Sequence, residues 1–359
     1  MSILSGTLRA FLIPALACAA VMPVFAGELP DTLSRAAIAV TRPDRSVLLG
    51  IAQAGSRLVV VGERGLIAVS DDEGKTWHQA SVPVTVSLTA VSFATPKKGW
   101  ALGHRGVILA TSDGGESWTV QLDGLKFAEA ALAEAKAASE PGTRAVADAE
   151  ALVHDGADKP FLDVSFADEK RGLAVGAYGM CARTEDGGAS WSSCMLQLPN
   201  PKGAHLYAIA RAGQNVYIAG EQGLLLRSDD GGSHYASVPG PYTTSLFCAA
   251  VAGNGDVLLG GLRGTAFVSV NQGRSFDALA TDSQGTCASL ARTNDGGMLS
   301  VNQLGQLLRY DAGVRRLKLV PTPPMPPLSG LLQTSSGALA MVGVRGAVAM
   351  PAPSLTKAQ

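Results

Sequence analysis

The stretch SDDEGKTW, Ser70 to Trp77, gathers hydroxyls and neighbouring carboxylates around a single glycine. Carboxylates this close could trade a proton, hold a cation or fasten a turn. The chain writes the phrase again as TSDGGESW (111 to 118), TEDGGASW (184 to 191) and SDDGGSHY (228 to 235), with a weaker copy, SVNQGRSF, at 269 to 276. A calcium loop needs oxygens at more alternating positions and a terminal bidentate acid, which this phrase does not supply. Each position has a turn-making use instead. Asp72, Asp113, Asp186 and Asp230 can accept N–H groups across the turn. Gly74, Gly115, Gly188 and Gly232 can take positive φ, and Trp77, Trp118 and Trp191 can bury a ring between sheets. The boxes are therefore expected to be structural.

Other chemistries find little support. The five histidines, His78, His104, His154, His205 and His234, show no metal-ligand spacing. His104 and His205 are candidates for the lining of a central channel, with solvated loops as the plainer alternative. No Gly-x-Ser-x-Gly elbow is present. No catalytic residue, metal or cofactor is expected, and the chain reads as a non-enzyme.

The elements that carry the boxes follow from a second phrase: GERG at 62, GHRG at 103, GAYG at 176, GEQG at 220, GLRG at 261, NQLG at 302 and GVRG at 343. The steps are 41, 73, 44, 41, 41 and 41 residues, so seven units recur with one long insertion. Within a unit, short alternating stretches such as LTAVSFA (88 to 94) and GVILATS (106 to 112) are bounded by Gly, Asp and Lys. That pattern describes four antiparallel strands. Seven such sheets set radially make an all-β, seven-bladed β-propeller, with the Gly-x-x-Gly phrases as hairpins. After GVRGAVAM the seventh unit runs into PAPSLTKAQ and has no fourth strand. The stretch AAIAVT (36 to 41) is expected to fill that place and close a domain of residues 27–355.

Residues 1–26 read as an export signal, with Arg9, an apolar run from Ala10 to Met22 and cleavage near Ala26. Cys18 follows Ala15, Leu16 and Ala17, a poor match to a lipoprotein signal, so simple export to the periplasm is expected. No later run is long and apolar enough to span a membrane. The balance of 29 basic and 30 acidic residues gives no surplus for nucleic acid. A monomer that binds protein is expected.

The boxes are similar to the Asp-box, or BNR repeat, of sialidases and many non-catalytic propellers. The joint pattern GWALGHRGVILATSDGGESW (99 to 118) resembles, more narrowly, the photosystem II stability and assembly factor family. The likeness runs from about 44 to 351 and weakens in the sixth unit, where RYDAGVRR lacks a Trp. It implies an exported seven-bladed propeller that assists photosynthetic assembly, or the assembly or function of another membrane complex or transporter. The alternative is a carbohydrate-binding or sialidase-like propeller, but the arginine motif of sialidases is missing from residues 27 onward.

Four hairpins carry arginine at one position: Arg64, Arg105, Arg263 and Arg345. These turns join the second strand to the third, on the face where one blade leads to the next. An arc of guanidiniums there would select a carboxylate-bearing protein partner, whereas stacking on neighbouring turns is the bland alternative. The family likeness implies the former.

The insertion (residues 123–159) turns to Ala, Glu and Lys on both sides of SEPG and reads as a helical hairpin beside Arg105. Its apolar stripe is expected at Leu125, Ala128, Leu132 and Ala135, with Phe127 at the margin. Cys181 and Cys194 lie equally far from the centre of a box turn. In an exported chain they pair as a disulfide or stay buried as two thiols. Cys248 and Cys287 are expected in the core.

Overall fold

A computed structural model describes residues 31–240 and 242–351; the export signal with Cys18, and residues 27–30, 241 and 352–355 of the expected domain, lie outside these. Seven sheets follow one another along the chain. Their innermost strands, called a, are Leu48–Ala54, Leu88–Phe93, Phe161–Phe166, Leu206–Ala212, Leu246–Val251, Cys287–Arg292 and Leu328–Gln333. In blades one to five, strands a, b, c and d lie side by side in chain order. The b strands Gly99–Gly103 and Val257–Gly261 are buried at every position, and Arg57–Gly62 and Asn215–Gly220 at all but the first. Both of their faces are covered, so they read as unbroken apolar runs rather than as alternating ones.

The core therefore sits between blades. Val59, Val61, Ile67 and Val69 of blade one meet Leu88, Ala101, Leu109 and Trp118 of blade two in one cluster. Burying each Val or Leu contributes roughly 1.5–3 kcal/mol. The box aromatics supply the outer part of five of the seven seams: Trp77, Trp118, Trp191, Tyr235 and Phe276 each join the cluster between their own blade and the preceding one. Trp100, fully buried in blade two, stacks on Phe166 and donates Nε1–H to the Gly187 carbonyl (3.2 Å) in blade three's box.

The ring closes differently from the expectation. Residues 36–41 form no strand and do not join blade seven, which has three strands. They run along the outside of blade one instead, where Ala37 N–H donates to the Val82 carbonyl (2.9 Å) and Val40 N–H to Gln79 Oε1 (2.8 Å). Blade seven meets blade one face to face. Val342 and Ala347 pack with Leu48, Val60 and Trp77, and Ser329 Oγ donates to the Leu48 carbonyl (2.7 Å). Thr89 Oγ1 makes the same bond to Phe161 O (2.8 Å) between blades two and three. The closing seam is thus an ordinary seam. The turn Pro43–Arg45 also lies against blade seven, so close to Gly346 (φ 99°) that a Cβ there would meet the Asp44 carbonyl. Blade six gains a fifth strand, Ala280–Thr281, pairing in parallel with its outermost strand Arg316–Val320.

The insertion is a helical hairpin: α1 (Gly124–Ala138) and α2 (Arg144–Asp155). Asp123 caps α1 by accepting the N–H groups of Leu125 and Lys126, both at 3.0 Å. The buried stripe is Phe127, Ala128, Ala131 and Ala135, rotated from the expected one; Leu125 faces outward and Leu132 packs partly against α2. Phe127 takes the central place because it enters the cluster of Trp100, Ile108 and Phe161, in edge contact with the Phe161 ring at 5.3 Å.

Candidate functional site

The b-to-c turns define one face of the ring. In blades one to four the turn donates an N–H to the residue just before its own blade's inner strand: Glu63 to Val47, His104 to Ser87, Ala177 to Pro160 and Glu221 to His205. This is the face on which each blade leads to the next, and α1 begins on it. A Cβ on Gly106 would lie 2.6 Å from Gly124 Cα.

Five of these turns share one conformation. Arg64, Arg105, Tyr178, Gln222 and Arg263 have φ of 57°, 59°, 55°, 53° and 50°, and the glycine that follows each is also left-handed. The flanking residues close the reversal, as in the bond from Leu66 N–H to the Glu63 carbonyl (3.1 Å). This is the mirror-image turn that suits the twist of a hairpin. Its glycine is obligatory, since a Cβ on Gly65 would collide with the Val84 carbonyl. The preceding position favours Asn or Gly, and another residue there costs about 1–2 kcal/mol. The chain nevertheless places long side chains at all five.

Arg64 and Arg263 are exposed and form no salt bridge among the described residues. Arg105 is half-buried, and its Nη2 reaches Asp31 Oδ2 at 3.2 Å. It is therefore engaged by the chain's own acid. Arg345 is exposed, but its turn differs: the left-handed residue is Gly346 (φ 99°), directly after it.

Beside these arginines runs an aromatic path, of which the sequence marked only His205 as a candidate. Tyr178 (56% exposed) meets the His205 ring at 4.9 Å; His205 lies 6.1 Å from Tyr207, and Tyr207 4.8 Å from Phe247. His205 Nδ1 accepts the Tyr178 N–H at 2.8 Å, which leaves Nε2 towards Glu221. Tyr207 and Phe247 occupy the position where the inner strand bulges in every blade, and they line a central cavity of about 310 Å³. Burial, then the Glu221 carboxylate, raises the Tyr207 hydroxyl. The one mark of Tyr207 and Phe247 in the sequence is an aromatic directly after the leucine that opens each of these two inner strands.

The boxes lie at the other ends of the strands. Asp72 accepts the Thr76 hydroxyl (2.6 Å), the Thr76 N–H (2.8 Å) and the Ser70 hydroxyl (2.9 Å). These bonds, the Thr76 hydroxyl foremost, hold its pKa at about 2. The Ser190 hydroxyl does the same for Asp186, and the His234 N–H for Asp230, each well below the usual carboxylate range. Asp113 accepts from Thr111 and Ser117. A carboxylate so satisfied is a poor proton acceptor. Gly74, Gly115, Gly188 and Gly232 are all left-handed, and Trp77 and Trp118 return Nε1–H to Gly74 and Gly115 at 3.0 Å. Among the described residues no group of three His, Cys, Asp or Glu is placed to hold a metal. Cys181 is bonded to Cys194 across blade three's outer strands, and Cys248, expected merely in the core, is bonded to Cys287 between blades five and six.

The family model described as photosynthesis system II assembly factor YCF48 matches residues 69–138 and 146–315. The chain belongs to this family. The photosystem II assembly lipoprotein Ycf48 of Synechococcus sp. (strain CC9902) is 35% identical over 151 residues, 40% of this chain and 44% of that protein. The chain thus matches less than half the length of this curated relative. Among solved structures, YCF48 bound to D1 peptide superposes with a TM-score of 0.62 at 15% identity, over 88% of this chain and 98% of that one. Streptogramin B lyase superposes at 0.65 with 10% identity, over 88% and 98%. At such identities the likeness is one of fold. The family match runs from blade one's third strand into blade six and includes most of the helical hairpin.

Proposed function

We propose that this family member is a non-catalytic, exported docking protein that holds a carboxylate-bearing segment of a membrane-complex protein on its arginine face. The observation that carries it is the pairing of strain with exposure at Arg64 and Arg263, which Arg345 extends around the ring. Strained, non-glycine left-handed residues cluster where a side chain is needed at a fixed place. A guanidinium without an acid partner is suited to a carboxylate, which it binds through two parallel N–H bonds. The solved relative holds a D1 peptide, and a segment of that kind, acidic or ending in a free carboxylate, is the client class we assign here. The Tyr178–Phe247 path offers apolar contact beside it.

Export fits the leader-like residues 1–26, the lipoprotein name of the relatives and two disulfides, which persist in oxidising compartments. N-terminal sequencing of the secreted chain should begin near Gly27. The functional test is charge reversal. Arg64→Glu, Arg263→Glu and Arg345→Glu together should abolish capture of membrane-complex proteins from the envelope fraction, and of an acidic peptide with a free C-terminus, while the thermal midpoint stays nearly unchanged. Capture that survives the triple change removes this face from the function.

A further inference from the structure

On the opposite face, between blades three and four, a cavity of about 560 Å³ is lined by three arginines from two blades: Arg171, Arg183 and Arg211. Arg171 lies in the a-to-b turn of blade three, Arg183 on its c strand, and Arg211 near the end of blade four's inner strand. The other walls include Thr184, Glu185, Gln214 and Ser233.

The charges there are under-matched. Arg171 is tied to Asp168 at 2.8 Å. Arg183, half-buried, forms no salt bridge among the described residues. Arg211 is also half-buried; its Nη1 donates to the Gly231 carbonyl at 3.3 Å, and its Nε is buried with no partner. Burial foremost, with Arg171 close by, pulls the Arg211 pKa down. Glu185 is the one acid lining the cavity and is exposed.

The repeats provide an internal control. Elsewhere on this face the half-buried arginines have acids, whereas Arg274 and Arg292, which form no salt bridge among the described residues, are exposed to water. Arg57 is bonded to Asp71 (2.7 Å) and Glu116 (2.6 Å), Arg309 to Asp295 (2.8 Å) and Arg227 to Asp229 (3.3 Å). A desolvated guanidinium left without a counter-charge is costly, and at the three–four seam a cavity takes the place of the missing acid. Its volume falls in the range of small-ligand sites, roughly 300–1,000 Å³.

We propose that this cavity binds a small oxyanion, a phosphate, sulfate or carboxylate group, carried free or on a small organic molecule. Arg183 and Arg211 grip the anion from two sides, and Arg171 adds positive potential at the mouth. The site is separate from the arginine face and does not depend on the function assigned to it.

The test is calorimetric titration and thermal shift of the full chain with inorganic phosphate, with citrate and with sodium chloride of matched ionic strength. Saturable binding of phosphate or citrate is expected, weakened at least tenfold by Arg183→Gln and unchanged by the triple reversal at 64, 263 and 345. Arg211→Gln should behave like Arg183→Gln; if it does not fold, Arg211→Lys, which keeps the charge but not the fork, should weaken binding by a smaller factor. Tighter binding of citrate assigns an organic anion and tighter binding of phosphate an inorganic one. The proposal is overturned if neither probe saturates, if matched chloride stabilises equally, if Arg183→Gln binds as the wild type does, or if the triple reversal removes binding.

Discussion

Arg64 and Arg263 should be worse for stability than the residues that could replace them. Arg64 sits at φ 57°, ψ 35° and Arg263 at φ 50°, ψ 41°, a region that costs a long L-residue about 1–2 kcal/mol and asparagine less. Neither side chain forms an ion pair among the described residues that substitution would remove. Arg64→Asn and Arg263→Asn should therefore each add about 0.5–1 kcal/mol, roughly half the strain. The sites share no partner, so the double variant should gain about 1–2 kcal/mol. With a urea slope of about 2–3 kcal/mol/M, the unfolding midpoint should rise by about 0.5 M. The same double variant should lose capture of the acidic peptide. Arg105→Asn is the contrast: it also forfeits the bond to Asp31, a surface pair of about 0–1 kcal/mol, so its midpoint should move little. A midpoint that falls in Arg64→Asn or Arg263→Asn would show that these side chains hold the fold, and capture that persists would show that they do not touch the client.

Two further expectations concern the scaffold. Asp72, Asp186 and Asp230 titrate below the unfolded carboxylate value of about 3.9, so their contribution is present above that value and is lost as pH falls through the folded values, about 2 for Asp72 and lower still for the other two. Urea midpoints measured from pH 6 down to pH 2.5 should drop for the wild type and drop less for Asp72→Asn; parallel curves would refute the assignment. Reducing the disulfides should also destabilise, by about 3 kcal/mol for Cys181–Cys194, 13 residues apart, and about 4 kcal/mol for Cys248–Cys287, 39 apart. Urea melts of Cys181→Ala/Cys194→Ala and Cys248→Ala/Cys287→Ala, with and without reductant, check that order, and alkylation of all four thiols without reductant would sink it.

The blades were legible because a glycine turn punctuates all seven units, and a box the first five, at nearly one period, and the boxes because each of their positions has a local use in the turn. What was misjudged depends on distant partners. AAIAVT alternates well enough to be a strand anywhere, and only the free edge beside Val82 and Gln79 decides that it runs along blade one. GVRG and GERG look alike, yet Arg64 is left-handed while in the other it is Gly346 that takes positive φ. The bond from Cys248 to Cys287 had a faint signal, since a separation close to one period puts both on neighbouring inner strands. The stripe of α1 keeps Ala128 and Ala135 but takes Phe127 and Ala131 in place of Leu125 and Leu132, because Phe127 is drawn into a pocket built by Trp100 and Phe161, residues of two different blades.

The closing seam shows why a missing fourth strand is tolerated. A propeller sealed by a borrowed strand relies on backbone pairing within one sheet. Here the outermost strand of blade seven, Gly346–Met350, has no further strand paired to it among the described residues, and the described closure rests on contacts between sheets: Ser329 to Leu48, and Trp77 with Val60 against Val342 and Ala347. Each is of the kind found at other seams, so the ring needs no special device where its ends meet. The N-terminal segment is thereby released to lie over blade one, where Asp31 reaches Arg105. Closure by packing and partial neutralisation of the arginine face are in this way two consequences of where residues 31–45 run.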